Sequence, residues 1–165
     1  METATIIEPY TIDGASMHTA TIVIRRARFI DVDVLAELVT QLGYPTDANE
    51  MIVRLRTLLT ESDNHLGAVA ELGGKVVGVI AAALSYHIEH AGAYGRITAL
   101  SVDGRQRRQG IGAALLAYAE SWLFRRGATV CIVNSHLRRL DAHRFYEREG
   151  YRNTGYRLEK HYPEK

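Results

Sequence analysis

The stretch Leu-Ser-Val-Asp-Gly-Arg-Gln-Arg-Arg-Gln-Gly-Ile-Gly-Ala-Ala-Leu-Leu, residues 100–116, constrains the fold more than any other part of the chain. Strand-like residues run to Val102, and a polar loop with Arg105, Arg107 and Arg108 follows. Gly110 and Gly112 then open a helix that sets Ile111, Leu115, Tyr118, Trp122 and Leu123 at helical spacing. A strand passing through a short loop into an amphipathic helix belongs to a sheet with helices packed on it. The glycines permit close approach to the backbone, and the unpaired N–H groups of the first turn present the positive end of the helix dipole. Such a loop suits a phosphate or pyrophosphate. A dinucleotide fingerprint needs a small residue where Leu115 stands, and no Gly-Lys-Ser or Gly-Lys-Thr of a triphosphate loop occurs.

The rest of the chain reads as one α/β domain, residues 21–165, behind an extension of 20 residues without sustained periodicity. Thr21–Arg28 predicts a strand. Asp31 or Asp33 can cap a helix carrying Val34, Leu35, Leu38 and Leu42, which Gly43 ends. Asp47 with Glu50 resembles a capping box before a second helix with Ile52, Leu55, Leu58 and Leu59. Leu66–Leu72 and Lys75–Tyr86 read as a hairpin turned by Gly73–Gly74. A strand over Gly95–Val102, the helix from Gly110 to Arg126 and an apolar strand at Ala128–Asn134 follow. A helix near Arg139–Glu149 and a last strand at Tyr151–Glu159 complete the order.

Charge is distributed unevenly. The 165 residues carry a formal net charge of +1, yet Arg96–Arg157 holds 12 Arg, no Lys and 5 acids, a balance of +7. The remainder is at −6. Arg suits phosphate recognition. The overall balance, and the lack of aromatics interleaved with the arginines, argue against a nucleic-acid partner. The single cysteine, Cys131, excludes an internal disulfide framework and a cysteine-rich zinc site, and its apolar strand setting disfavours a nucleophile. No run approaches 18 apolar residues and no signal-peptide pattern opens the chain, so the expected setting is cytoplasmic, away from membranes.

Arg107-x-x-Gly110-x-Gly112, with Val102 five residues before it, resembles the acetyl-CoA signature of the GNAT N-acetyltransferases. Asp141-Ala-His-Arg-Phe-Tyr-Glu-Arg-Glu-Gly-Tyr151 is similar to that family's closing motif. The resemblance spans about residues 21–160. It implies a mixed sheet with about four helices, in which two parallel strands splay apart, here Arg96–Val102 and Ala128–Asn134. It also implies acetyl-CoA as co-substrate and direct transfer to a primary amine of a small molecule through a tetrahedral intermediate; homodimers are common in the family. The residues implied to hold the co-substrate are Leu100, Ser101, Val102, Arg107, Arg108, Gln109, Gly110, Ile111, Gly112, Ala113, Asn134 and Phe145. Tyr146 matches the family's general-acid tyrosine. The family fold also implies that the acidic helices near the N-terminus flank the acceptor, where their charge would favour a cationic amine.

The amine must lose a proton before it attacks. Where many family members carry a strand glutamate this chain has Thr98, leaving Glu71, His87, Glu89 and His90 as candidates for a proton relay or for substrate contact. His87 and His90, three apart on an extended chain, face opposite sides, poor geometry for one metal ion, so no metal is expected. The His-x-x-His stretch and Asp141–Tyr146 also resemble aminoalkylphosphonate N-acetyltransferases. Thr98 keeps open the alternative of a non-catalytic acyl-CoA-binding module.

Overall fold

A computed structural model describes residues 21–89 and 91–162; the proposed extension and His90 lie outside them. Five strands form one sheet in the order β1-β2-β3-β4-β5: Ile22–Arg26, His65–Leu72, Lys75–Tyr86, Ala93–Val102 and Ala128–Val133. The helices are α1 (Val32–Gln41), α2 (Ala48–Thr60), α3 (Ile111–Arg125) and α4 (Leu140–Arg148). The first four strands are antiparallel neighbours, whereas β4 and β5 run parallel with α3 as the crossover between them. This is the mixed α/β architecture the sequence implies.

Local chemistry explains the boundaries. Gly73 and Gly74 take φ of 58° and 76°, the left-handed pair that a two-residue hairpin turn needs. Gly43 ends the first helical segment at φ 101°. The Asp47 carboxylate accepts the Glu50 N–H at 2.9 Å and starts α2.

Alternation along the strands gives the sheet two apolar faces. Leu66, Ala68, Ala70, Ile80, Ala82, Leu84 and Ile97 pack with Leu115, Ala119, Trp122 and Leu123 of α3. Val69 and Val79 point the other way, onto Leu35, Leu38, Met51 and Leu55 of α1 and α2. Each fully buried Leu or Ile contributes about 2 kcal/mol. Gly95 sets how closely α3 can approach β4, because a Cβ there would lie 2.8 Å from Cδ1 of the buried Leu123. Gly95→Val is expected to cost about 2 kcal/mol by overpacking. Calorimetry should show Tm lowered by about 6 °C.

The strand expected at Tyr151–Glu159 does not form. The segment carries the residue types of a strand, but no neighbouring strand supplies its hydrogen bonds. Tyr156 and Leu158 are 96% and 93% exposed. β5 is therefore the edge of the sheet among the described residues.

Candidate active site

The site begins where β4 and β5 part. Their parallel pairing runs from Ala93↔Ala128 to Ile97↔Val133 and goes no further. β4 continues to Val102 along β3, with Leu100 opposite Ile80 and Val102 opposite Gly78. Strand backbone groups alternate sides, so those of Thr98–Val102 that face β5 are left without a ladder partner. Thr98 is itself the extra residue of a β-bulge, since Ala99 pairs with Ala81 and Ile97 with Ala82. A bulge twists and bends its strand, which places the parting of the two strands directly after it.

The loop after β4 is held from several sides. The buried Ser101 hydroxyl donates to the Leu38 carbonyl at 2.8 Å, so its side chain is committed to α1. Gly104 N–H donates to Gln41 Oε1 at 3.1 Å. Asp103 accepts from the Arg105 backbone at 3.0 Å and from its guanidinium at 2.7 Å, and those hydrogen bonds, the side-chain one foremost, hold its carboxyl at about 2. Arg108 at φ 64° and Gly110 at φ 77° then turn the chain through the left-handed region. Left-handed backbone beside a helix start aims successive N–H groups into one concavity. Ile111, Gly112 and Ala113 form the first turn of α3, whose N–H groups have no partner within the helix. The Ile111 side chain itself is buried in the core, so only its backbone faces the loop. Arg107, Arg108 and Gln109 are exposed beside it, and neither arginine makes an ion pair among the described residues. The Arg107 Nε–H reaches back to the Val102 carbonyl at 3.4 Å.

Helix α4 closes the other wall. A Cβ on Gly112 would lie 3.6 Å from the Phe145 ring and 3.9 Å from Val102, so loop, splayed strand and α4 meet at this glycine. Tyr146 follows, packed edge-to-face on Phe145 at 5.1 Å and on Tyr151 at 5.5 Å. Burial pushes its hydroxyl up to about 12, against the opposing charge of Arg139. It therefore stays protonated across the neutral range as a hydrogen-bond donor. Tyr146 borders a cleft of about 530 Å³ that follows β5 from Val130 to Val133. Ser135, whose buried Oγ has no hydrogen-bond partner among the described residues, lines the same cleft. An unpaired stretch of strand, a cradle of N–H groups and an orphaned hydroxyl together fit an extended polar ligand with a phosphate end. Asn134 is exposed at the end of β5, beside Ser135.

The base candidates do not gather at one point. Glu71 is held by Arg25 at 2.6 Å, in a network with Asp31. His87 stacks on Tyr94 at 4.6 Å, with Ser85 Oγ at 3.0 Å from its Nε2 and Glu89 at 3.4 Å from its Nδ1. Gly95 and Ile97 face α3, so Tyr94 and Arg96 point to the opposite face of the sheet. Arg96 and Thr98 are both exposed, near the parting of the strands. Arg96 was not among the expected site residues; only strand register shows that it shares this face with Tyr94 and His87.

Tyr151 and Glu120 were also absent from the expected set. The Tyr151 hydroxyl donates to Glu120 Oε1 at 2.7 Å and lies 3.2 Å from Cys131 Sγ, beneath Tyr146. Burial is the main cause raising both the Tyr151 hydroxyl and the Cys131 thiol, so the thiol is not activated. No sequence signal joins residues 31 positions apart on a helix and after another helix.

Comparison with known proteins agrees with this geometry. The model of the "Acetyltransferase (GNAT) family" matches residues 33–151. An aminoalkylphosphonate N-acetyltransferase of Salmonella typhimurium is 41% identical over 87 residues, 53% of this chain and 56% of that one. The chain thus spans about half the length of that curated relative. Among solved structures, a transcriptional regulator from Bacillus halodurans superposes with a TM-score of 0.77 at 21% identity, covering 86% of this chain and 99% of that one. A glucosamine-6-phosphate N-acetyltransferase from Arabidopsis thaliana gives 0.73 at 23%, covering 87% and 99%; likenesses at this identity show the fold. With the splayed strands, the Gly-rich helix start and α4 in one arrangement, and the family match running over most of the chain, the chain belongs to the GNAT acetyltransferase family.

Proposed function

We propose that the chain is an acetyl-CoA-dependent N-acetyltransferase acting on the primary amine of a small molecule. The observation that carries this reading is the end of β4–β5 pairing at Ile97↔Val133, with the Arg108–Ala113 loop at one side and Tyr146 at the other. Backbone groups of Leu100 and Val102 would hold the pantetheine arm, and the N–H groups from Arg108 to Ala113 the pyrophosphate. The amine attacks the thioester carbonyl, the C–N bond forms and the C–S bond breaks. The sulfur leaves with the electron pair and takes a hydrogen bond from Tyr146. A tyrosine near 12 holds its proton more tightly than a thiol of pKa about 8.5, so Tyr146 acts mainly by stabilising developing charge. With no carboxylate at Thr98, the ammonium proton leaves through water toward His87 and its neighbour Glu89, on the face that carries Tyr94 and Arg96, or the amine arrives neutral.

Arg96 on that face favours an amine with an anionic tail over the cationic amine that bulk charge suggests, and the aminoalkylphosphonate relative supports the same choice. Thiol release from acetyl-CoA should be measured across aminoalkylphosphonates, amino acids, polyamines and aminoglycosides. Turnover is expected on the first group, and its absence on all of them, with CoA binding intact by calorimetry, would support a non-catalytic acyl-CoA-binding module instead. Thr98 at the bulge is the observation favouring that second reading.

A further inference from the structure

We infer that Ser85, positioned by His87, joins Arg96 to form a subsite for a tetrahedral phospho-oxyanion, and that this serine makes the acceptor site prefer such a tail over a carboxylate. The subsite presupposes the N-acetyltransferase reading above and narrows its acceptor class. Strand register brings the two residues together. Ser85 is paired with Tyr94, and Ala83 with Arg96, so all four share one face of β3 and β4. Ser85 and Arg96 are diagonal neighbours on that face, about 7–8 Å apart and within reach of a long side chain. Ala83, directly opposite Arg96, is too small to fill the space between them. Arg96 stands one residue before the last β4–β5 pair, so the subsite adjoins the place where the strands part and the acetyl group would end. From Arg96 to Thr98 the strand advances about 7 Å, a span that a short alkyl chain between amine and tail covers.

The donors on this face decide the chemistry. Arg96 and Ser85 are both exposed, and Arg96 makes no ion pair among the described residues. A guanidinium is a planar fork that a carboxylate and a phosphonate satisfy equally well with two oxygens. The third oxygen of a tetrahedral anion lies off that plane and needs a further donor, which Ser85 supplies. A serine hydroxyl has one hydrogen to give. Here it goes to the Tyr94 carbonyl at 3.4 Å, a long bond readily exchanged for one to a charged acceptor. The 3.0 Å bond between Ser85 Oγ and His87 Nε2 is therefore donated by the ring, which keeps the serine hydrogen for the ligand. His87 is held in place by stacking on Tyr94, with centroids 4.6 Å apart and planes at 21°, and by Glu89 at 3.4 Å from its Nδ1. His87 is thus a positioning residue for Ser85, and Arg96 and Ser85 make the contacts.

Steady-state kinetics with matched acceptors test this, using aminoethylphosphonate, phosphoethanolamine and β-alanine; the first two separate a phosphonate from a phosphate ester as the tail. Ser85→Ala should raise KM for the preferred phospho acceptor about tenfold, and KM for β-alanine by less than about threefold. Arg96→Gln should raise both by about 30-fold. His87→Ala should raise the phospho KM as Ser85→Ala does, and the double variant should be no worse than either single one. A proton-relay role for His87 shows instead in kcat, alike for every acceptor, and leaves this selectivity in place. Turnover confined to β-alanine, a phospho preference untouched by Ser85→Ala, or additive effects of the Ser85 and His87 changes overturn the inference. Where no acceptor turns over, it is the acetyltransferase reading that fails, and calorimetry decides the subsite by itself. Methylphosphonate is titrated into protein saturated with CoA, so that the Arg108–Ala113 loop is filled. Binding weakened about tenfold by Ser85→Ala supports the subsite. Binding that is absent, or equal in Ser85→Ala and Arg96→Gln to the unaltered chain, overturns it.

Discussion

Tyr146→Phe is expected to lower kcat by about 10²- to 10³-fold, the usual loss when one donor to developing charge is removed. The KM for acetyl-CoA should change by less than about threefold, because the groups that would hold the co-substrate lie in β4 and the Arg108–Ala113 loop rather than on Tyr146. Phenylalanine keeps the edge-to-face packing on Phe145 and Tyr151, so the fold is unaffected. The pH profile separates roles. Tyr146 titrates near 12, so a rise in kcat/KM with pH between about 6 and 9 reports deprotonation of the amine or its base. That limb should persist in the variant at a lower plateau. A rate within threefold of the unaltered enzyme removes Tyr146 from the chemistry.

The second large effect is on stability. Asp31 is 4% exposed and receives a bidentate contact from Arg25, both bonds at 2.8 Å, plus the Arg28 N–H at 2.8 Å. Arg25 also donates to Glu71 at 2.7 Å. The network ties β1, the turn before α1 and β2 together. Asp31→Ala leaves the part-buried Arg25 without its main partner and is expected to cost about 3 kcal/mol. Calorimetry should show Tm lower by about 9 °C. The Arg25 hydrogen bond, its largest cause, holds the Asp31 carboxyl below its ordinary 3.8. A depressed carboxylate contributes its stability above the unfolded value and loses it as pH falls through the folded one. The gap between the two proteins should therefore be full at pH 7 and shrink below about pH 4. A gap independent of pH would show that packing, not charge, is what Asp31 supplies.

These two residues differ in how far the chain alone reveals them. Tyr146 sits in a local pattern, an aromatic pair on a short helix before Gly150-Tyr151, and its position follows from neighbours in sequence. The same holds for the hairpin at Gly73–Gly74, for the Gly110 and Gly112 helix start, and for the alternation that gives the sheet two apolar faces. Each depends on interactions within about ten residues, where spacing and backbone freedom are decisive. Asp31 reads only as a helix cap. Its pairing with Arg25 is still local, but the link onward to Glu71 crosses 46 residues and exists only once β1 lies on β2.

The tertiary structure decided what depends on distant elements meeting. Thr98 became a bulge because the β3–β4 register slips by one residue there. Arg96 gained its face from the same register, and the Tyr151–Glu120 pair arose from the approach of a C-terminal turn to α3. The last strand shows the division most clearly. The sequence of 151–159 alternates as a strand should, and that much is a local property. A strand also needs hydrogen bonds from a neighbour, and no arrangement of residues within the segment can supply them. Whether the pattern becomes a strand is decided by tertiary pairing and not by the segment itself.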